Sequence, residues 1–115
     1  MPRDDDSVTD ILNSARIIAD YIAGLEREDL DADSRTRDAI VLRLFVIGEA
    51  TKRLSPEFRN AMPHVSWRKM AGMRDVLVHN YDQIDPQAVW DAATEDVPEL
   101  ISLLEALLPP PPEDP

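Results

Sequence analysis

The chain has 115 residues, enough for one domain with a hydrophobic core. It contains only three glycines, and this scarcity of a helix-weakening residue favours helix over sheet. Its net charge of −11 argues against broad, nonspecific binding to RNA or DNA, because nucleic-acid-binding faces are usually basic. The acidity indicates either a basic partner or a basic groove formed on assembly, or it only maintains solubility. The chain has no cysteine for a disulfide or thiolate metal site, no signal-peptide pattern and no apolar run long enough to span a bilayer, so we expect a cytoplasmic protein without a membrane partner.

Composition divides the chain into three parts. Residues 1–6 form a short acidic lead, residues 7–108 carry a helical pattern, and residues 109–115 are dominated by proline, which cannot continue a helix. We therefore predict one helical domain over residues 7–108, followed by a disordered tail.

The first two helices are predicted from apolar spacing. Ser7 or Thr9 can cap a first helix, whose apolar residues recur every three or four positions. The polar stretch 28–34 is predicted to be a loop, and a second helix begins within residues 34–38. This helix is nearly apolar around Gly48, which predicts a central position. A glycine inside a helix costs about 1 kcal/mol relative to alanine, a cost that a close helix crossing would explain.

Two serines mark the next helix starts. Ser55-Pro56 predicts a short helix that ends before Pro63. Ser66 can cap the helix that follows, which is predicted over residues 67–81.

Asp85-Pro86 starts the last helix, and Pro98 is expected to kink or split it. No strand pattern occurs, so the sequence predicts an all-α, up-down bundle of four main helices plus one short helix. The first and last helices are apolar on more than one stripe, which indicates either a homodimer interface or ordinary core.

The stretch from Met73 to Tyr81 carries the most distinctive chemistry. Arg74 can bind phosphate through a rigid fork of donors, and His79 can accept or donate a proton near neutral pH. Tyr81 offers a hydroxyl that can be hydrogen-bonded or modified. We treat these three side chains as the candidate functional group of the domain.

Helical geometry separates two of these groups. On a straight helix, His79 lies about 140° around the axis from Arg74, whereas Tyr81 lies about 20° from it. Arg74 and His79 therefore meet only under one of three conditions. The helix ends or distorts within residues 78–80, the long Arg74 side chain reaches around, or a second copy of the chain supplies the missing half across a two-fold axis.

An arginine and a histidine suit the cleavage of RNA, which carries its own nucleophile in the ribose 2′-hydroxyl. His79 suits the proton transfers and Arg74 the charge on the phosphate, without a metal ion. Asp75, four residues before His79, is a candidate to orient the imidazole, and Asn80 is a candidate donor to a phosphate or the ribose. The sequence shows no plausible carboxylate–histidine metal site. From spacing alone, surface or interface roles for Arg74 and His79 stay open.

The Arg-x4-His-x-Tyr pattern of Arg74, His79 and Tyr81 resembles the motif of HEPN-superfamily proteins, specifically the HepT-like toxins of HEPN/MNT toxin–antitoxin systems. Further similar segments follow in the family's order: Ile47-Gly48-Glu49-Ala50, Pro63 through Trp67 to Met73, Val89-Trp90 and Val97-Pro98-Glu99-Leu100. The resemblance covers residues 7–107.

This resemblance implies a helical homodimer with metal-independent endoribonuclease activity and no cofactor, with Arg74 and His79 as the functional pair in a composite cleft. It also implies the toxin role in a type VII-like system, with an MNT-type nucleotidyltransferase antitoxin as partner. The antitoxin would neutralise the toxin by transferring AMP to Tyr81 or by complex formation. An AMP group would bring a phosphate to the arginine that the RNA needs.

Structural interpretations compete with the functional ones. Tyr81 is either the AMP acceptor or a helix-end tyrosine with its ring in the core. Glu49 either orients Arg74 or is a buried carboxylate paired with Arg43 or Arg53.

Arg68 and Lys69 are either contacts for the RNA backbone or solvated surface groups. For the whole chain, two further functions stay open. One is a non-catalytic helical dimer that binds a nucleotidyltransferase and is its modification substrate. The other is a purely structural helical interaction domain.

Overall fold

A computed structural model describes residues 2–107, with the side chains of residues 4–107, and the predicted tail at 109–115 lies outside the described residues. The helices are α1 (Pro2–Ile22), α2 (Arg27–Ala32), α3 (Ser34–Arg53), α4 (Pro56–Ala61), α5 (Trp67–His79), α6 (Pro86–Asp91) and α7 (Val97–Glu105). A 3-10 turn at Tyr81–Gln83 follows α5, and a π-turn at Ala92–Asp96 joins α6 to α7. Residues 2–107 contain no strand, so the predicted all-α class is confirmed.

The helix α3 occupies the centre of the bundle, as its apolar sequence predicts. It packs against α1 on one side and α5 on the other, and α1 also packs against α7. Ile40, Leu44 and Ile47 of α3 are buried in the core with aliphatic residues of α1 and α7. Burial of these side chains, at about 1.5–3 kcal/mol each, drives the assembly of the helices.

Gly48 marks the crossing of α3 and α5. A Cβ at this position would lie 2.9 Å from the carbonyl oxygen of Met70 and would overlap the Cβ of Arg74. No other residue type fits between the two helices without moving one of them. The predicted close crossing is confirmed, and it sets the position of Arg74.

The first helix begins earlier than its predicted caps. It starts at Pro2, five residues before Ser7, so residues 2–6 belong to α1. The carboxylate of Asp4 is buried and accepts hydrogen bonds from the backbone N–H and the hydroxyl of Ser55, each at 2.8 Å. The prediction of a start at Ser7 or Thr9 is wrong because a tertiary contact, which the local pattern does not reveal, stabilises the extra turn.

A short helix, α2, replaces the predicted loop at 28–34. The backbone N–H of Glu26 donates to Asp29 at 2.7 Å, which stabilises the first turn. Leu30 is fully buried and fixes the segment to the core. The loop prediction is wrong because one large apolar residue in six is too few to produce a visible period.

The starts of α3, α4 and α6 agree with the sequence patterns. Asp33 accepts two backbone hydrogen bonds at the start of α3, at 3.1 and 3.2 Å. Ser55 accepts from the N–H of Phe58 at 3.1 Å, and Asp85 accepts from the N–H of Gln87 at 2.9 Å.

At α5 the predicted start is correct but the predicted cap is not. Ser66 precedes α5 without a capping hydrogen bond from its side chain. The start is instead fixed by Trp67, whose ring is buried and donates to the carbonyl of Met62 at 3.1 Å.

Pro98 lies in the first turn of α7, directly after the π-turn. The missing N–H of proline is tolerated in a first turn, and the π-turn absorbs the break in the hydrogen-bond ladder. The sequence predicted a kink or a split at Pro98. The structure instead shows this π-helical segment, and the backbone stays helical from Pro86 to Glu105. Across residues 2–107, none of the helices has the length and apolar character that crossing a membrane requires.

Candidate active site

The candidate site begins at the carboxyl-terminal end of α5. The helix stays regular through His79 and ends at Asn80, whose backbone turns away with φ −138° and ψ 43°. Tyr81 therefore belongs to the following 3-10 turn, and the prediction of a helix to Tyr81 is wrong by two residues. Because both lie on the regular helix, Arg74 and His79 keep their separation of about 140° around the axis.

Arg74 lies against α3 and is held there by three groups. Its Nε donates to a carboxylate oxygen of Glu49, and its Nη1 donates to Asp75 Oδ1 at 3.1 Å. The guanidinium carbon lies 5.9 Å from the centre of the Phe45 ring, within cation–π range. With its side chain only 24% exposed, the arginine has little freedom to change its orientation.

Glu49 pairs with Arg74 and with neither arginine suggested as a buried partner. Arg53 instead binds Asp10 at 3.2 Å, and the Glu49 side chain is 35% exposed rather than buried. The pairing joins α3 to α5 through two residues that lie 25 positions apart in sequence. Of the two interpretations of Glu49, the contact supports the one in which it orients Arg74.

Asp75 does not orient His79, in contrast to the prediction. Its carboxylate accepts hydrogen bonds from Arg74 and from Nζ of Lys52. Hydrogen bonds from Lys52, which has the larger effect, and from Arg74 hold the pKa of Asp75 below its usual value. In turn, Asp75 and Glu49 raise the pKa of Arg74. The prediction fails because two cations lie close to this carboxylate. One of them, Lys52, lies 23 residues before Asp75, so the spacing of the motif could not reveal it.

His79 and Asn80 are both exposed at the end of α5. Within the described residues, the His79 imidazole forms no hydrogen bond with another side chain, so it is accessible to a substrate or a partner. Val76 and Val78, which precede it on α5, are 44% and 46% exposed. A single chain thus presents a positioned arginine and an exposed histidine on different sides of one helix.

Tyr81 is 56% exposed, and its ring is not in the core. Its hydroxyl donates to Asp38 Oδ1 on α3 at 3.2 Å, and this carboxylate raises the pKa of Tyr81. The structural interpretation of Tyr81 is therefore wrong, because the chain leaves the helix before this residue. Asp38 lies 43 residues away in sequence, so no spacing along the chain indicated its contact with Tyr81.

Two shallow clefts open beside Tyr81. One, of about 280 Å³, is lined by Arg37, Asp38 and residues of the turn after α5. The other, of about 350 Å³, is mainly apolar and is lined by Leu42, Phe45 and Leu77. Within residues 2–107, no group of three or more histidine, aspartate or glutamate side chains is arranged to hold a metal ion.

Comparison with known proteins connects this arrangement to a family. The family model described as "Ribonuclease HepT-like" matches residues 11–107, which include the crossing of α3 and α5 and the whole of the motif. No solved structure matches the chain.

Three curated relatives agree with this match. The "Probable ribonuclease HepT" of Thermococcus cleftensis is 34% identical over 102 residues, which cover 89% of this chain and 93% of the relative. A "Putative RNase" of Methanocaldococcus jannaschii is 35% identical over 99 residues, covering 86% and 82% of the two chains. Another "Putative RNase", from Caldanaerobacter subterraneus subsp. tengcongensis, is 34% identical over 98 residues, covering 85% and 88%. The chain belongs to the HepT-like ribonuclease family of the HEPN superfamily.

Proposed function

We propose that the protein is a metal-independent endoribonuclease whose active site is completed between two copies of the chain. The observation that carries the proposal is the fixed orientation of Arg74, which two carboxylates and a helix crossing maintain. Two of its five N–H groups bind these carboxylates, so three are left for phosphate oxygens. The names of the relatives as ribonucleases support RNA as the substrate.

The geometry of α5 favours a homodimer. The helix is regular through His79, so helix distortion does not bring the imidazole to Arg74. The ion pairs of Arg74 oppose a sweep of its side chain around the helix. A second copy of the chain is the remaining way to place a histidine beside each arginine, and the exposed Leu42 and Val78 provide apolar surface for such an interface.

The proposed reaction uses the ribose itself as nucleophile. The 2′-oxygen attacks the phosphorus while a neutral His79 accepts the 2′-hydroxyl proton, and the bond from phosphorus to the 5′-oxygen breaks. The leaving 5′-oxygen then takes this proton from the same imidazole, and the products are a 2′,3′-cyclic phosphate and a 5′-hydroxyl. Arg74 neutralises the charge that develops on the phosphoryl oxygens.

Cleavage of a labelled RNA oligonucleotide in EDTA tests this proposal. We expect cleavage that leaves 2′,3′-cyclic phosphate ends, and that is lost in both Arg74→Ala and His79→Ala. The matched control is His64→Ala, because His64 is the other histidine of the chain and is also exposed. Wild-type activity in His79→Ala, or activity that EDTA abolishes, would contradict the mechanism.

Tyr81 supports a second function, as the acceptor of AMP from an MNT-type nucleotidyltransferase antitoxin that neutralises this toxin. The exposed hydroxyl already contacts Asp38, and Arg37 lines the same cleft. In the proposed step, the phenolic oxygen attacks the α-phosphorus of ATP, pyrophosphate leaves, and the phenolic proton passes to Asp38. Arg37 would contact the incoming phosphates. One alternative is that the protein is not a ribonuclease but a helical dimer that serves only as the substrate of the nucleotidyltransferase. A second alternative is that the antitoxin neutralises the toxin by forming a complex with it, without modifying Tyr81.

A further inference from the structure

A groove between α4 and α5 has no assigned role. It measures about 510 Å³, opens to solvent, and is lined by Arg59 and Asn60 of α4 and by Arg68, Gly72 and Asp75 of α5, among others. We propose that this groove binds the sugar–phosphate backbone of single-stranded RNA on one side of the bond that is cut. The inference rests on the proposed ribonuclease function and adds a substrate-binding subsite to it.

The need for such a subsite comes from the charges around Arg74. Arg74 and Lys52 carry two positive charges, and their partners Glu49 and Asp75 carry two negative ones. This cluster is electrically neutral, and the whole chain has a net charge of −11. Because affinity for RNA comes largely from neutralising phosphates with cations, the protein needs further positive charge near Arg74.

Two arginines of the groove can supply this charge. Arg59 and Arg68 form no ion pair with the described residues, whereas Lys69, the neighbour of Arg68, is bound to Asp96 at 3.0 Å. The Nε atom of Arg59 is buried and has no hydrogen-bond acceptor in the described part of the chain. Such a donor is rare in folded proteins, and an oxygen of a bound ligand would satisfy it.

Gly72 indicates close approach of a ligand to the helix. A Cβ at Gly72 would have no heavy atom within 4 Å, in contrast to Gly48, where Arg74 fills the space. Packing within the described chain therefore does not require a glycine here, although glycine weakens a helix interior. A ligand that lies against the backbone of α5 would require one.

The groove leads to Arg74. Arg68, Gly72 and Asp75 follow one face of α5, at intervals of four and three residues, over about 10 Å along the axis. Asp75 at the end of this face is hydrogen-bonded to Arg74. An RNA strand that lies on Gly72, between Arg59 and Arg68, would thus reach Arg74, whose guanidinium is proposed to bind the reacting phosphate. A polyanion suits the unpaired arginines, and the Asn60 amide can bind a ribose hydroxyl.

Direct binding measurements test the groove. We expect His79→Ala protein in EDTA to bind a fluorescent, mixed-sequence single-stranded RNA, measured by anisotropy at several salt concentrations. Adding Arg68→Ala or Arg59→Ala should weaken binding about tenfold, and should reduce the slope of log K against log salt by about 0.7. Adding Gly72→Leu should weaken binding by blocking the groove and should not lower the thermal midpoint, since leucine favours helix.

Arg35→Ala is the matched control. Arg35 is an exposed arginine at the start of α3, without an ion pair in the described part and about 25 Å along the helix from Lys52. The control should bind RNA as the parent protein does. Equal losses in Arg35→Ala and Arg68→Ala would overturn the groove, because they would show only an effect of net charge.

The result also separates the groove from the proposed function. Wild-type protein that cuts RNA, with Arg68→Ala and Gly72→Leu unchanged in both Kd and kcat/KM, would overturn the groove alone. Wild-type protein that cuts no RNA, while these variants lose RNA binding, would overturn the ribonuclease and support the groove. Variants that keep RNA binding but lose an acidic protein partner would assign the groove to that partner and overturn the inference.

Discussion

Arg74 of α5 donates a hydrogen bond to Glu49 of α3 across a crossing at which Gly48 leaves no room for a side chain. The stem of the arginine therefore belongs to the packing between two helices, and its side chain as a whole is 24% exposed. This position couples the proposed chemistry to the stability of the fold.

Replacing Glu49 with glutamine should reduce turnover more than binding. The amide keeps the shape of the side chain but removes the negative charge that orients Arg74, and a hydrogen bond between charged groups contributes about 1.5–3 kcal/mol. We expect kcat for RNA cleavage to fall about tenfold, with KM nearly unchanged. Glu28→Gln, an exposed glutamate of α2, is the control. Wild-type kcat in Glu49→Gln would show that the ion pair does not position the arginine.

Alanine should have opposite effects at the two helical glycines. At Gly48 the new methyl group would overlap Arg74 and Met70, so we expect a loss of about 2 kcal/mol in unfolding free energy and a lower cleavage rate. At Gly72 the methyl group enters open space, so we expect a gain of about 0.5–1 kcal/mol. Chemical denaturation measures both. Two changes of the same sign would contradict the crossing described here.

Acid should weaken the protein partly through Asp75. Lys52 and Arg74 hold the pKa of this carboxyl below its usual value. A lowered pKa means that the ionised form stabilises the folded state above the ordinary aspartate pKa, and that this contribution is lost as the pH falls through the folded-state value. We expect the thermal midpoint to fall less steeply between about pH 5 and about pH 3 in Asp75→Asn than in the wild type.

Asp20→Asn, at an exposed aspartate of α1, is the control for the acid experiment. It should follow the wild-type dependence on pH. An Asp75→Asn curve parallel to the wild-type curve would contradict the prediction.

Mixing two inactive variants tests the composite site. If each site takes Arg74 from one chain and His79 from the other, equal amounts of Arg74→Ala and His79→Ala form mixed dimers with one intact site. After subunit exchange, activity should recover to about a quarter of the wild-type value, because half of the dimers then carry one of two sites. No recovery, in samples that native mass spectrometry shows to contain mixed dimers, would place both residues of a site in one chain.

Tyr81→Phe should prevent modification by the nucleotidyltransferase. The chain has one other tyrosine, Tyr21, which is 42% exposed, so Tyr21→Phe is the matched control. With purified antitoxin, ATP and Mg²⁺, intact-mass spectrometry should show AMP on the wild type and on Tyr21→Phe but not on Tyr81→Phe. Asp38→Asn should slow the transfer, because it removes the carboxylate that accepts the phenolic hydrogen bond.

The helices could be predicted where their signals are local. Ser55 and Asp85 cap helices through residues two or three positions away, and the apolar spacing of α3 reveals its central position. The errors occur where distant contacts decide. The first turn of α1 depends on Ser55, and α2 depends on the burial of Leu30.

In the candidate site too, the local features could be predicted from the sequence and the contacts between distant residues could not. The residue types of Arg74, His79 and Tyr81 indicate their chemistry, and they lie within one short stretch of sequence. Lys52 and Asp38 of α3 bind Asp75 and Tyr81, from which they lie 23 and 43 residues away in sequence. Spacing along the chain therefore suggested Asp75 as a partner for His79, although a nearer cation in space binds Asp75 instead.

The two hydrogen bonds between Asp4 and Ser55 join residues that are 51 positions apart in sequence. During synthesis the beginning of α1 leaves the ribosome long before its partner exists. The opening turn of this helix must then wait, unprotected, until the end of α3 has been translated and has docked. The earliest-made part of the domain is thus among the last to reach its final structure.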